Sequence, residues 1–181
     1  MAWLEKEDRE KYPDLYYWLM QELPQLPDKK PKVWSAFYRH AAGNLFEGMF
    51  ARHSIVWAFP PLIRVESYQM MQCEDDGDPI PQKDGSFVQK RKLRWYGYTV
   101  PTLGKQEIYV ASDLAQGARA AEVGPILEAT VLHELVHWCR KVSGKDVNDE
   151  GPPYDFEKEA YGNVMFRTWQ SCMSIQYFET K

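Results

Sequence analysis

His133-Glu134-Leu135-Val136-His137 is the segment whose residue types and spacing could do chemistry. On a helix the two histidines stand one turn apart, about 40° offset at ~100° per residue, so both imidazoles can reach one metal ion. Glu134 falls beside them, placed to take a proton from a water that the metal activates. The pattern predicts the site of a zinc-dependent hydrolase. The other reading, a packed histidine pair around Glu134, leaves a buried charge unpaired, which a metal and its water would relieve.

A site of this kind needs a bounded helix and a third ligand. Gly124-Pro125 supplies a breaker and a favoured first helical residue, and Lys141 with Ser143-Gly144 supplies a basic last turn and a stop. Catalytic zinc takes three protein ligands and leaves one position for water. The His-rich continuation of the box fails, because Arg140 and Ser143 occupy the places of its glycine and third histidine. Cys139 points about 160° away from His137 on the same helix and reads as a small core residue. The remaining candidate is the acidic segment Tyr154–Gly162, whose apolar Phe156, Ala160 and Val164 mark an inward face. Glu157 lies beside that face and is the expected third ligand. Glu159 points elsewhere unless the helix starts later, though it could hold a ligating histidine by its far ring nitrogen. For either glutamate the plainer reading is a solvated charge at a helix start. His53 has no support from spacing as a ligand, and His40 reads as a residue closing a helix C-terminus.

Leu132 to Trp138, a short Gly- and acid-containing link, then Phe156-Glu157 and Ala160-Tyr161-Gly162 resemble the zincin metallopeptidase toxin domains of bacterial polymorphic toxins. The metallopeptidase domain of some type VI secretion spike effectors is similar. The resemblance covers about a quarter of the chain, roughly residues 125–165. It implies zinc held by His133, His137 and Glu157, with Glu134 as general base in the hydrolysis of a peptide bond. Tyr161, one turn from Glu157, is the nearest candidate to donate a hydrogen bond to the developing oxyanion; a packed core tyrosine is the other reading. The resemblance also implies an antibacterial secreted effector toxin, with a cognate immunity protein in the producer and a secretion spike protein as carrier. Two further classes share the motif: a hydrolase of peptidoglycan peptides, and a zinc-bound interaction module without activity.

At 181 residues, 44% hydrophobic, the chain is long enough for one domain, 1–181, with its own core. No apolar run approaches the ~18 residues of a membrane span. The charged start Met1-Ala2-Trp3-Leu4-Glu5-Lys6-Glu7-Asp8-Arg9 is not a classical secretory signal, so the expectation is a cytoplasmic protein in the producer, exported without one and acting in the target-cell periplasm. Cys73, Cys139 and Cys172 are too few and scattered for a disulfide framework. A net charge of −4 makes no electrostatic case for nucleic acid. The basic run Gln89–Arg94 reads as the wet face of a strand.

The supporting elements follow from periodicity. Asp14–Leu23 has apolar residues at helical spacing, ended by Pro24 and Pro27, and Pro31 opens a second helix to about Ala42. Ser54–Phe59, Leu62–Cys73, Ser86–Val100 and Lys105–Ala111 read as strands, the second and third joined by a polar hairpin loop whose Asp residues lack calcium-loop spacing. The expected fold is α+β and zincin-like: N-terminal helices, a mostly antiparallel twisted sheet, the metal helix, and a C-terminal helix supplying the third ligand. By the resemblance Lys105–Ala111 is an edge strand that pairs with extended substrate; on alternation alone it could equally be central.

Overall fold

Buried Leu15, Trp18, Leu19, Leu23 and Leu26 recur at three- and four-residue steps and wind the N-terminal segment into one helical path. The computed structural model describes residues 3–42, 48–49, 51–52, 61–67, 73–75, 80–81, 87–88, 92–94, 97–99, 106–146 and 148–164. After strand β1 (Trp3–Leu4) come α1 (Lys6–Lys11) and α2 (Pro13–Tyr17), a π-helical turn over Trp18–Glu22, a 3-10 turn over Leu23–Gln25, α3 (Leu26–Lys29) and α4 (Pro31–Ala41). Pro24 and Pro27 do not end the path as expected. Each falls in the first turn of a new helical piece, where a missing N–H forfeits no hydrogen bond.

The main sheet contains β1, β2 (Leu62–Glu66), β8 (Glu107–Ala111) and β7 (Gly97–Thr99), in the order β1-β2-β8-β7. β1–β2 and β2–β8 are parallel, with Ile63 opposite Ile108, and β7–β8 is antiparallel, with Gly97 opposite Val110 and Thr99 opposite Ile108. The sheet is therefore mixed and not mostly antiparallel. Alternation along a strand fixes which face is buried but carries nothing about the direction of its neighbour. β8 is also not an edge: it is paired on both sides, and β7 closes that side of the sheet among the described residues. Between β2 and β7 in the chain lie two antiparallel pairs, β3 (Cys73–Asp75) with β6 (Lys92–Arg94) and, within that span, β4 (Ile80–Pro81) with β5 (Phe87–Val88). The expected strand Ser54–Phe59, and His53 and Cys172, lie outside the described residues.

β8 leads directly into α5 (Ser112–Gln116), then α6 (Gly124–Val142) and α7 (Gly151–Tyr161). α6 is apolar on nearly all sides because it is covered on all sides. It packs against β7 and β8 on one flank and against α4 and α7 on others, so Leu127, Val131, Leu132, Leu135, Val136 and Trp138 are all buried. Phe37 of α4 meets Phe156 of α7 edge-on at 6.1 Å. Truncating either ring to alanine should cost about 3–5 kcal/mol, because its neighbours cannot close the hole. A buried central helix of this kind holds its side chains at fixed positions, as a reactive site requires.

Candidate metal centre

α6 carries His133 and His137 one turn apart, with ring centroids 5.0 Å from each other. Both present Nε2 to the same oxygen, Oε2 of Glu150, at 3.4 and 3.3 Å. Glu150 stands at the N-terminal boundary of α7, with half of its side chain exposed. These three side chains could together hold a metal ion. The separations are at the long end for hydrogen bonds between a carboxylate and an imidazole. They suit two ligands of one tetrahedral ion, since donor atoms ~2.0–2.1 Å from a shared centre lie about 3.3–3.4 Å apart. Nδ1 of His137 is buried without a hydrogen-bond partner among the described residues, so Nε2 is the nitrogen with a partner to bind.

Glu157, expected as the third ligand, is not in that group of three and stands on the other side of the His133 ring. Its Oε1 lies 2.5 Å from Nδ1 of His133, the ring nitrogen opposite the one that faces Glu150. α7 begins at Gly151, with Pro152 and Pro153 in its first turn, so Glu157 lies nearly two turns into the helix and is buried. From there its Oε1 meets the far side of the imidazole. The role considered for Glu159, holding a histidine by its far nitrogen, is the geometry Glu157 has. Glu159 itself pairs with Arg39, and at 2.9 Å with Nε2 of His40, bracing α7 against α4. His40 thus binds a neighbouring helix instead of closing its own.

Glu134 is buried on the flank of α6 that meets the sheet. The Thr99 hydroxyl lies 2.9 Å from its Oε2 and 3.0 Å from its backbone oxygen, and donates to one of them. Burial raises the Glu134 pKa, outweighing the opposing pull of His133, His137 and the Thr99 hydrogen bond. β7 comes this close because residue 97 is glycine: a Cβ there would lie 2.8 Å from Thr130 Cγ2 and from the Tyr109 carbonyl oxygen. In the metal-free chain burial would lower the His133 pKa. Hydrogen bonds to Glu150 and Glu157 and the charge of Glu134 prevail and carry it up to about 10. Glu150 moves the opposite way: burial pushes it up, but hydrogen bonds from His133 and His137 bring it down to about 2.

Tyr161, expected to serve the oxyanion, donates instead to Oε1 of Glu128 at 3.2 Å, and its ring packs edge-on against Phe156. Glu128 is buried and receives Lys30 Nζ on both oxygens, at 2.8 and 3.1 Å. Burial first, and then the charge of Glu128, raise the Tyr161 hydroxyl well above its ordinary value. Lys30, Glu128 and Tyr161 therefore tie the start of α4, the body of α6 and the end of α7 together.

Sequence reasoning missed Glu150, Thr99 and Gly97. Glu150 sits in a stretch of turn-forming acids, where carboxylates are usually solvated; its one signal is that it directly precedes Gly151-Pro152, a helix start. Among the described residues no helix is long and apolar enough to cross a membrane. Neither a curated protein nor a solved structure matches the chain. A family model described as metallopeptidase toxin 3 matches residues 8–162, a span that takes in α2 to α4, strands β2 to β8 and every residue of this centre. With that extent of match over this arrangement of histidines and carboxylates, the chain belongs to the metallopeptidase toxin 3 family.

Proposed function

We propose that the protein is a zinc metallopeptidase that hydrolyses peptide bonds, with His133, His137 and Glu150 holding the ion and Glu134 as general base. The observation that carries this reading is the convergence of both Nε2 atoms on one Glu150 oxygen at 3.3–3.4 Å, the edge length of a tetrahedral site. Two imidazoles and one carboxylate suit zinc and leave a fourth position open. When bound, zinc supplies Lewis-acid activation of water and of the scissile carbonyl.

The chain's own residues do the rest. Glu134, its pKa raised by burial, accepts a proton from the attacking water and passes it to the leaving nitrogen. The Thr99 hydroxyl, 2.9 Å from Oε2 of that carboxylate, helps to fix its orientation toward the water. Glu157 on Nδ1 of His133 keeps the proton on that nitrogen, which leaves the lone pair of Nε2 to hold the ion beside Glu150. Substrate in this reading lies along β7, which brings Thr99 to Glu134. An extended peptide added to its outer edge would run past the base, bound by backbone hydrogen bonds without demands on sequence.

The family is one of toxins, and we take the peptidase to be an antibacterial secreted effector, with an immunity protein that blocks the cleft. Zinc analysis of wild type, His133→Ala, Glu150→Ala and Glu157→Ala tests the ligand set. One zinc per wild-type chain, lost with His133 and Glu150 and weakened with Glu157, is expected; full retention in Glu150→Ala would overturn the assignment. Denatured protein and purified peptidoglycan as parallel substrates decide whether the cleft takes ordinary peptides or wall cross-links. Growth of cells carrying wild type or Glu134→Gln in cytoplasm or periplasm then tests the toxin role.

A further inference from the structure

Two of the three proposed ligands are fixed by the helix that carries them; Glu150 is not. It ends the eight-residue link between α6 and α7, half of its side chain is exposed, and a free glutamate in such a place loses rotamer and backbone freedom when it binds. Something must hold it. The link is gripped at both ends by one residue, Arg140, a turn beyond His137 on α6. At its start, the Lys145 N–H donates to the Arg140 carbonyl at 2.9 Å and the Gly144 N–H to the Lys141 carbonyl at 3.0 Å, with Gly144 at φ 74° closing the helix. At its end, Nη2 of Arg140 donates to Oδ2 of Asp149 at 2.8 Å.

Asp149 uses its second oxygen on the other side of Glu150. Oδ1 accepts the backbone N–H of Gly151 at 3.0 Å, a two-residue side-chain turn that spans Glu150 and ends on the first residue of α7. The backbone of Glu150 is thus clamped between a carboxylate anchored to α6 and the first residue of α7. The Arg140 side chain is only 15% exposed, unusual for a cation at a helix end and consistent with a fixed guanidinium rather than a solvated one. Arg140 therefore sets the separation between the helix bearing His133 and His137 and the loop bearing Glu150.

We propose that Arg140 and Asp149 are positioning residues of the metal centre, holding Glu150 at ligand distance from the two histidines. The inference rests on the reading of Glu150 as the third ligand.

The test is metal affinity of the whole chain, measured by chelator competition with zinc, and the visible spectrum of the cobalt-substituted protein. Arg140→Gln and Asp149→Asn are compared with Glu150→Gln. Loss of such an outer partner weakens metal binding about 10- to 100-fold. Both variants should fall in that range, move the cobalt bands toward those of Glu150→Gln, and show less than additive loss when combined, because they break one contact. A merely structural role would lower the melting temperature and leave the spectrum of the folded, metal-loaded protein unchanged. If Arg140→Gln does not fold, Asp149→Asn carries the test alone, since its side-chain amide keeps an oxygen for the Gly151 N–H. Zinc affinity and cobalt bands like wild type in the Arg140 and Asp149 variants, with Glu150→Gln impaired, would overturn this inference and leave the ligand reading standing. Wild-type binding in Glu150→Gln would bring down the ligand reading itself.

Discussion

Replacing Gly97 with alanine should separate stability and turnover from metal content. A Cβ at residue 97 meets Thr130 Cγ2 and the Tyr109 carbonyl oxygen at 2.8 Å and Glu134 Cγ at 3.3 Å. To restore ordinary contact at 3.4 Å, β7 has to withdraw from α6 by about 0.6 Å, the difference from 2.8 Å. The other clashing atom is the backbone oxygen of Tyr109 on β8, so residue 97 is hemmed in by its own sheet neighbour as well as by α6, and rotation of one side chain cannot relieve both contacts. Thr99 lies two residues along the same face and moves with the strand. Its 2.9 Å hydrogen bond to Glu134 then stretches to about 3.5 Å, where little of it is left. Overpacking of this kind costs about 1–3 kcal/mol. We expect denaturant unfolding to show a loss in that range, zinc content to stay at wild-type level, and turnover of a peptide substrate to fall about tenfold or more as the base loses its register. Thr99→Val, which removes the hydroxyl without moving the strand, should reproduce the loss of turnover with a smaller loss of stability. Gly97→Ala with wild-type stability and turnover would refute the claim that β7 is pressed onto α6 to hold Glu134.

The other predictions concern the carboxylates and Tyr161. Tyr161→Phe should keep wild-type turnover and lose about 1 kcal/mol of stability, the worth of one hydrogen bond to a buried acceptor; a drop in kcat without a drop in stability would return Tyr161 to the reaction. Glu157→Gln should retain zinc with affinity about 10- to 100-fold weaker, as expected when a histidine loses the partner of its far nitrogen; complete loss of zinc at micromolar concentration would make Glu157 a direct ligand. In the metal-free chain His133 is raised to about 10, so its contribution to stability is full below its unfolded value of 6.5 and is lost as pH rises through 10. Glu150, depressed to about 2, contributes fully above 4.5 and loses that contribution as pH falls toward 2. Melting of the chelator-treated protein should therefore decline from pH 7 toward 10, while the stabilisation by added zinc grows, because zinc displaces the His133 proton. A metal-free melting temperature that rises over that interval would contradict the ion-pair account.

The parts of the centre legible in the sequence are those whose geometry is local. His133, Glu134 and His137 share a helix, and four residues of spacing are enough to bring the imidazoles together once Gly124-Pro125 and Gly144 bound it. The helix Pro31–Ala41 and the strand Glu107–Ala111 are legible for the same reason, since proline placement and alternation act over a few residues. Glu150 is hidden because the start of α7 decides the matter. Taken to begin near Tyr154, the helix offers Glu157 to the metal; beginning at Gly151, it places Glu150 at its mouth and turns Glu157 behind His133. Pro152 and Pro153 favour the earlier start, but Phe156 meets Phe37 of α4 across a contact that no local pattern records. Sheet direction is hidden too. Ile108 and Val110 alternate identically whether the neighbour is parallel β2 or antiparallel β7, and the roughly forty intervening residues could return to either edge. Gly97 and Thr99 gain their meaning from contact with a helix about thirty residues away in sequence, which no local pattern records.

The central claim is that this chain binds one zinc and uses Glu134 to hydrolyse peptide bonds. Zinc content and cleavage of a denatured protein, measured on the same samples of wild type and Glu134→Gln, test it most directly. The account predicts one zinc per chain in both and cleavage only by wild type. Cleavage by Glu134→Gln at the wild-type rate, or a wild-type chain that holds no zinc, would contradict it.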